Sequence, residues 1–175
     1  VTITSSYTGA DVGNYSVTDQ STTTANITAK ALTVSGITSS SKTYDATTSA
    51  SLNTGSVSYG GLVFGDNLTG TYSGVFNNAN VGSGKTVTIT SSYSGADVNN
   101  YTITDQSSTT ADIAAKVLTA TASTANKTYN RSTTAATTLT FTGLVGSETL
   151  GQTVGSTFDN KNVGTGKTVT VNSIT

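Results

Sequence analysis

The 175-residue sequence predicts an all-β fold: tandem antiparallel β-sandwich repeats, Ig-like in plan, each about 82–86 residues long and strung into an extended rod or fibre. Three observations predict it. The composition holds 40 Thr, 24 Ser and 18 Gly against 10% charged residues, and no stretch places apolar residues at helical spacing. Thr, Val, Ile and Tyr suit a pleated, half-buried surface. Apolar and polar residues alternate at the period of a strand with one face in a core. Finally, the chain repeats itself. Residues 1–33 align with 87–119 at 25 of 33 identical positions, and residues 76–89 align with 158–171 at 10 of 14. Lys42-Thr43-Tyr44-Asp45 matches Lys127-Thr128-Tyr129-Asn130. The offsets of 86, 82 and 85 residues are each the length of one small domain.

The phase of the repeat divides the chain into residues 1–29, the closing part of one unit; residues 30–115, a complete unit; and residues 116–175, the opening of a third. This phase predicts a segment of a longer tandem array. Copies in series favour a structural or adhesive role, because an active site gains nothing from being repeated along a rod.

Taken in order, residues 30–35 open the complete unit with Leu32 and Val34 on one face, as Leu118 and Ala120 do in the next unit. Lys42–Thr48 and Lys127–Thr134 read as a short strand and a turn. Leu52, Val57 and Tyr59 are candidate core positions, and Phe76 and Phe158 precede an Asn-Val-Gly-x-Gly-Lys turn at 80–85 and 162–167. In the clearest strand, Lys85–Ser91, Val87 and Ile89 share one face and Thr86, Thr88 and Thr90 the other; Val1/Ile3 and Val169/Val171 repeat the pattern. The turn Gly95-Ala96-Asp97-Val98-Asn99-Asn100 is rich in residues that tolerate positive φ. Tyr101 and Ile103 then share a face, residues 105–109 form a polar loop, and Ala111 and Ile113 resume the alternation. This gives seven or eight short strands per unit, a count and spacing that suit two packed sheets. The junctions at 27–32 and 113–118 hold no Gly or Pro, which predicts short, extended, stiff linkers.

Absences bound the chemistry. The chain has no Pro, Cys, His, Met or Trp, and a net charge of −1. Lack of Cys removes disulfides and thiolate chemistry, and lack of His removes the commonest general base and metal ligand. No basic patch invites nucleic acid, and no apolar run or basic amphipathic segment inserts in a membrane. Lack of Pro leaves sheet edges without one of their usual guards.

Individual motifs weigh toward structure. Gly82-Ser83-Gly84-Lys85-Thr86 and residues 164–168 imitate the end of a phosphate-binding loop, but Ala79 and Lys161 stand where that loop needs its first Gly, and a strand follows where it needs a helix. Asp11, Asp19, Asp97 and Asp105 recur in register, without the spacing of a calcium loop, and read as turn formers. Tyr44, Tyr101 and Tyr129 read as core or corner tyrosines rather than a sugar-stacking face. Glycan-acceptor tripeptides begin at Asn14, Asn26, Asn67, Asn100, Asn126 and Asn130. Lys30 and Lys116 are the lysines considered for isopeptide crosslinks. No catalytic set, metal set or cofactor cradle emerges.

Lys42-Thr43-Tyr44-Asp45-Ala46-Thr47-Thr48, then Phe76 with Asn80-Val81-Gly82-x-Gly84-Lys85, then Asp97, Asn100-Tyr101-Thr102 and Ala111-Asp112-Ile113, resemble the YDG-type and related mostly-β glycine-rich repeats of large bacterial surface proteins. The usual hosts of these repeats are filamentous-haemagglutinin-like adhesins and biofilm matrix adhesins. The chain departs from the pattern at Ala46, where Gly is usual, at Asn130-Arg131 in place of Asp-Gly, and in a junction, Ile27-Thr28-Ala29-Lys30, that lacks the family's Pro. The resemblance implies a secreted stalk or fibre without enzymatic activity. The partners expected are neighbouring repeats or other copies of the chain, joined head to tail when residues 1–29 complete residues 116–175. The second reading is an adhesin module that binds a glycan or a host surface protein by avidity.

Overall fold

The computed structural model describes residues 1–174. The regular elements of the described residues are all β-strands apart from two single-turn 3₁₀ segments, Val12–Asn14 and Val98–Asn100. The chain divides into two units. The first comprises Val1–Gly36, Gly55–Thr71 and Ser91–Gln106, and the second Ile37–Thr54, Tyr72–Thr90 and residues 107–175.

The first unit is built on a three-stranded sheet. Its central strand β1 (Lys30–Ser35) runs antiparallel to β6 (Ser58–Gly60), with Val34 opposite Tyr59. On its other edge β1 runs parallel to β9 (Tyr101–Thr104), with Leu32 opposite Ile103. Leu32, Val34 and Tyr101 are buried while their chain neighbours are exposed, as the period-two pattern requires. Gly36 ends β1 at φ +88°, and a Cβ there would meet the Ser56 carbonyl oxygen at 2.1 Å. Only glycine fits. Residues 1–30 are exposed throughout. Within them a bridge between Thr2 and Thr22 and a hydrogen bond from Tyr7 to Asp19 hold a loop together.

The second unit carries the sheet β3-β10-β8-β7-β4. Its strands are β3 (Lys42–Thr43), β10 (Ser108–Ala114), β8 (Gly82–Ser94), β7 (Thr69–Phe76) and β4 (Ser49–Ala50). β10 is antiparallel to β8 and parallel to β3. Phe76, Val87, Ala111 and Ile113 form its core, and Tyr44, Ala50 and Leu52 pack against them. A two-stranded ribbon pairs β2 (Thr38–Ser39) with β5 (Leu52–Asn53).

Residues 116–174 add two more ribbons to this unit. β11 (Thr119–Thr124) pairs with β12 (Thr137–Thr142), and β13 (Val154–Phe158) pairs with β14 (Val169–Ile174). Ala135, Leu139 and Ser156 are buried there, and the Ser156 hydroxyl donates to the Ala135 carbonyl at 3.1 Å. The registers Thr119↔Thr142 and Thr124↔Thr137 reproduce Thr33↔Gly60 and Thr38↔Asn53 of the complete repeat. One unbroken ribbon thus does what β1–β6 and β2–β5 do separately. The break at Gly36 accounts for the difference, since Ala122 stands at its place in the third repeat.

Several details differ from the sequence reading. The complete repeat holds ten strands rather than seven or eight, because its front half divides into two-residue segments. Two pairings, β1–β9 and β3–β10, are parallel. The turn expected at 80–85 closes earlier, since β8 already begins at Gly82, and β10 begins at Ser108 inside the expected 105–109 loop. Val1, Ile3 and Ala120 alternate as expected but are exposed, whereas their counterparts Val87, Ile89 and Val34 are buried.

Candidate functional site

The motif residues fall into two groups. In the second unit, β3 ends at Lys42-Thr43 and the chain turns sharply through Asp45 and Ala46. The Lys42 ammonium sits at the centre of that turn. It reaches Asp45 Oδ1 at 2.8 Å, the Thr47 carbonyl at 2.8 Å, Thr47 Oγ1 at 2.9 Å and the Ser49 carbonyl at 3.1 Å. It also lies 5.5 Å from the centre of the Phe76 ring, a cation–π contact. Asp45 accepts the Thr47 amide at 2.9 Å as well, closing an Asx-type turn. The Lys42 ammonium and the Thr47 donors hold the Asp45 carboxyl down to about 2. Ala46 takes φ +62°, the conformation for which Gly is best suited.

The third repeat rebuilds this arrangement. Lys127 Nζ donates to the Ser132 carbonyl at 2.7 Å and the Thr134 carbonyl at 2.8 Å, and lies 5.4 Å from the Phe158 ring centre. Arg131 takes φ +64° at the position of Ala46. Both departures from the family's Gly therefore retain the backbone shape that Gly would favour.

The strand start after Phe76 is also duplicated. Asn78 Oδ1 accepts the Asn80 amide at 3.0 Å and Lys85 Nζ at 2.8 Å; Asn160 Oδ1 accepts the Asn162 amide at 3.0 Å and Lys167 Nζ at 2.8 Å. Lys167 pairs in addition with Asp159 at 2.7 Å, which holds that carboxyl below its ordinary range. Gly82 begins β8, and Gly84 takes φ +58° where the β8–β10 register slips between Ala111 and Ile113. The Gly84 amide donates to Asp112 Oδ1 at 2.7 Å. The glycines of the phosphate-loop look-alike thus form a β-bulge inside a strand.

In the first unit, Asp97 precedes the 3₁₀ turn, and its carboxylate accepts the Asn67 amide at 2.8 Å. Asn100 closes the turn by donating a hydrogen bond from its backbone amide to the Asp97 carbonyl at 2.9 Å. Tyr101 follows, with its ring buried; its hydroxyl donates to Asp66 and accepts the Val63 amide at 3.0 Å. The Asp66 carboxylate pushes the Tyr101 phenol upward. Asp66 and Asn78 were not singled out in the sequence, and Asp112 was named there only as part of the family motif. For Asn78 the signal existed, since Asn160 stands at its matching place.

The remaining sequence candidates are placed as follows. Asp19 and Asp105 accept hydrogen bonds from Tyr7 and Tyr93, twelve residues away in each case. Tyr44 packs on the core and donates to Glu148. Tyr129, its counterpart, is 52% exposed, so the expectation of a buried tyrosine fails there. Lys30 and Lys116 are exposed and lack the burial an isopeptide site requires. Among the described residues, no group of three or more acidic side chains lies close enough to hold a metal, and no helix is long and apolar enough to cross a membrane.

Lysines clamped over aromatic rings, amides caught by side-chain carboxylates and a bulge fixed by an aspartate define an all-β repeat module whose motif holds its own backbone. The chain belongs to the YDG domain family, whose model matches residues 28–111 and 114–175. No curated protein and no solved structure gives a match.

Proposed function

We propose that the chain is a structural stalk or fibre segment of a bacterial extracellular adhesin or matrix filament, of the mostly-β glycine-rich kind, located at the cell surface and without catalysis. One observation carries this reading. The residues that define the repeat are spent on holding the fold, and the lysine-over-aromatic clamp is built twice with the same geometry, at Lys42 over Phe76 and at Lys127 over Phe158. Repetition of a scaffold without an accompanying reactive group serves mechanics: each small core adds length. The partners are then neighbouring repeats or copies of the chain, with no nucleic acid and no direct membrane insertion.

Electron microscopy of the native material, with its mass on a denaturing gel, tests this reading. Long thin filaments support it, and compact particles without filaments oppose it. The second reading, a module that binds a glycan or a host surface protein, draws on the exposed rings of Tyr7, Tyr15, Phe64 and Tyr129. It predicts that a glycan or cell-surface binding screen gives a signal that is lost when these rings are replaced.

A further inference from the structure

Tyr44 sits where the complete repeat hands over to the next. β10 ends at Ala114 and β11 begins at Thr119, so residues 115–118 link the two repeats. The parallel pairing of β3 with β10 sets Lys42 opposite Ile113 and Thr43 opposite Ala114, and the Tyr44 amide then donates to the Ala114 carbonyl at 2.9 Å. The backbone of Tyr44 therefore holds the last residue of β10, while its ring packs against the core of Phe76, Val87, Ala111 and Ile113.

The third repeat holds the far end of the same link. The turn that follows β12 lies against it: a Cβ at Gly143, whose φ is +104°, would meet the Val117 carbonyl oxygen at 3.2 Å and Leu118 Cδ2 at 3.3 Å. The Glu148 amide donates to the Val145 carbonyl at 3.2 Å and closes that turn. The Glu148 carboxylate then accepts the Tyr44 hydroxyl. This hydrogen bond raises the Tyr44 phenol above its ordinary value. A closed circuit results, from Tyr44 through Ala114, the link, Gly143 and Glu148 back to Tyr44.

We propose that Tyr44 and Glu148 form a brace between successive repeats, through which the motif tyrosine of one repeat fixes the setting of the next. The link alone holds no Gly or Pro and is short, which narrows the swing of the second repeat without fixing its direction. A second attachment point beside the link removes the freedom that a single one leaves. Tyrosine suits this place because its ring is rigid and carries an apolar body with a polar tip. The body is anchored in the core of one repeat, and the tip reaches the turn of the other. The motif tyrosine thus does more than pack its own repeat.

This inference deepens the stalk reading by naming what stiffens a joint, and the two are tested apart: distances across the joint report the brace, and microscopy of filaments reports the stalk. The chain has no Cys, so Thr88→Cys in the complete repeat and Thr140→Cys in the third, both at exposed positions, accept spin labels. Double electron–electron resonance of the labelled whole chain is expected to give one narrow distance distribution. Tyr44→Phe keeps the ring in the core and removes only the hydroxyl. It should raise the population outside the main distance by about three- to tenfold, which is what one hydrogen bond of ordinary net strength is worth. Glu148→Ala should do the same, and the double substitution should add nothing to either, because each removes the one contact. Glu148→Gln retains an acceptor and should stay near the wild type. A wild-type distribution as broad as that of Tyr44→Phe overturns the proposal, and so does additive broadening by Tyr44→Phe and Glu148→Ala. Either result leaves the stalk reading to stand or fall by its filaments.

Discussion

At the residue scale, the lysine clamp is the part of the motif with the clearest physical consequences. The Asp45 carboxyl is held at about 2 in the fold, against about 3.9 for an ordinary aspartate. A carboxyl depressed on folding stabilises the fold above its unfolded value and loses that contribution as pH falls toward the folded one. Melting temperature should therefore drop between about pH 4 and pH 2, and Asp45→Asn should start lower and drop less over that window. Ala46 makes a second test. An L-residue in the left-handed region costs roughly 1–2 kcal/mol, and the greater freedom of Gly in the unfolded chain returns part of that. Ala46→Gly is expected to raise stability by about 0.5–1 kcal/mol, readable as a few degrees in a melting curve. The same change at Arg131 should act in the same direction. Lys42, Tyr44 and Asp45 were legible in the sequence as a motif, because their matches recur 85 residues later. Asp66, the partner of Tyr101, was not legible, because a hydrogen bond across 35 residues leaves no periodic trace.

At the scale of elements, alternation revealed faces and left partners open. Val87/Ile89, Leu32/Val34 and Ala111/Ile113 are buried as their period implies, since a strand with one face in a core must alternate. The parallel pairings of β1 with β9 and of β3 with β10 were not legible. Such pairs join strands some 70 residues apart, and nothing local in either strand records the direction of its neighbour. The Gly82–Lys85 stretch was read as a turn because Gly usually marks one; here Gly84 marks a bulge. Positive-φ glycines should therefore differ when replaced. At Gly84 no atom lies within 4 Å of the added Cβ, and Gly84→Ala should cost about 1–2 kcal/mol through backbone strain alone. At Gly36 the added Cβ would meet backbone at 2.1 Å, so Gly36→Ala must shift β1 and should cost more than Gly84→Ala. Phe76→Ala, which empties the centre of the second unit's core, should cost about 3–5 kcal/mol in a denaturant titration. If Gly36→Ala proved milder than Gly84→Ala, the close approach at the end of β1 would be wrong.

At the scale of the molecule, a short chain builds the same clamp twice and leaves apolar residues of its first 29 positions in water, among them Tyr15, Val17 and Ile27. Their counterparts in the complete repeat include Tyr101 and Ile113, both buried. The repeat phase announced this division in the sequence. The proposed function describes a module that lengthens by repetition. Small-angle X-ray scattering of the chain, extrapolated to low concentration, tests the stalk claim most directly. A compact 175-residue domain would have a radius of gyration of about 16 Å. The stalk account predicts a value well above this, with a distance distribution that tails to long separations; a value near 16 Å with a symmetric distribution would contradict it.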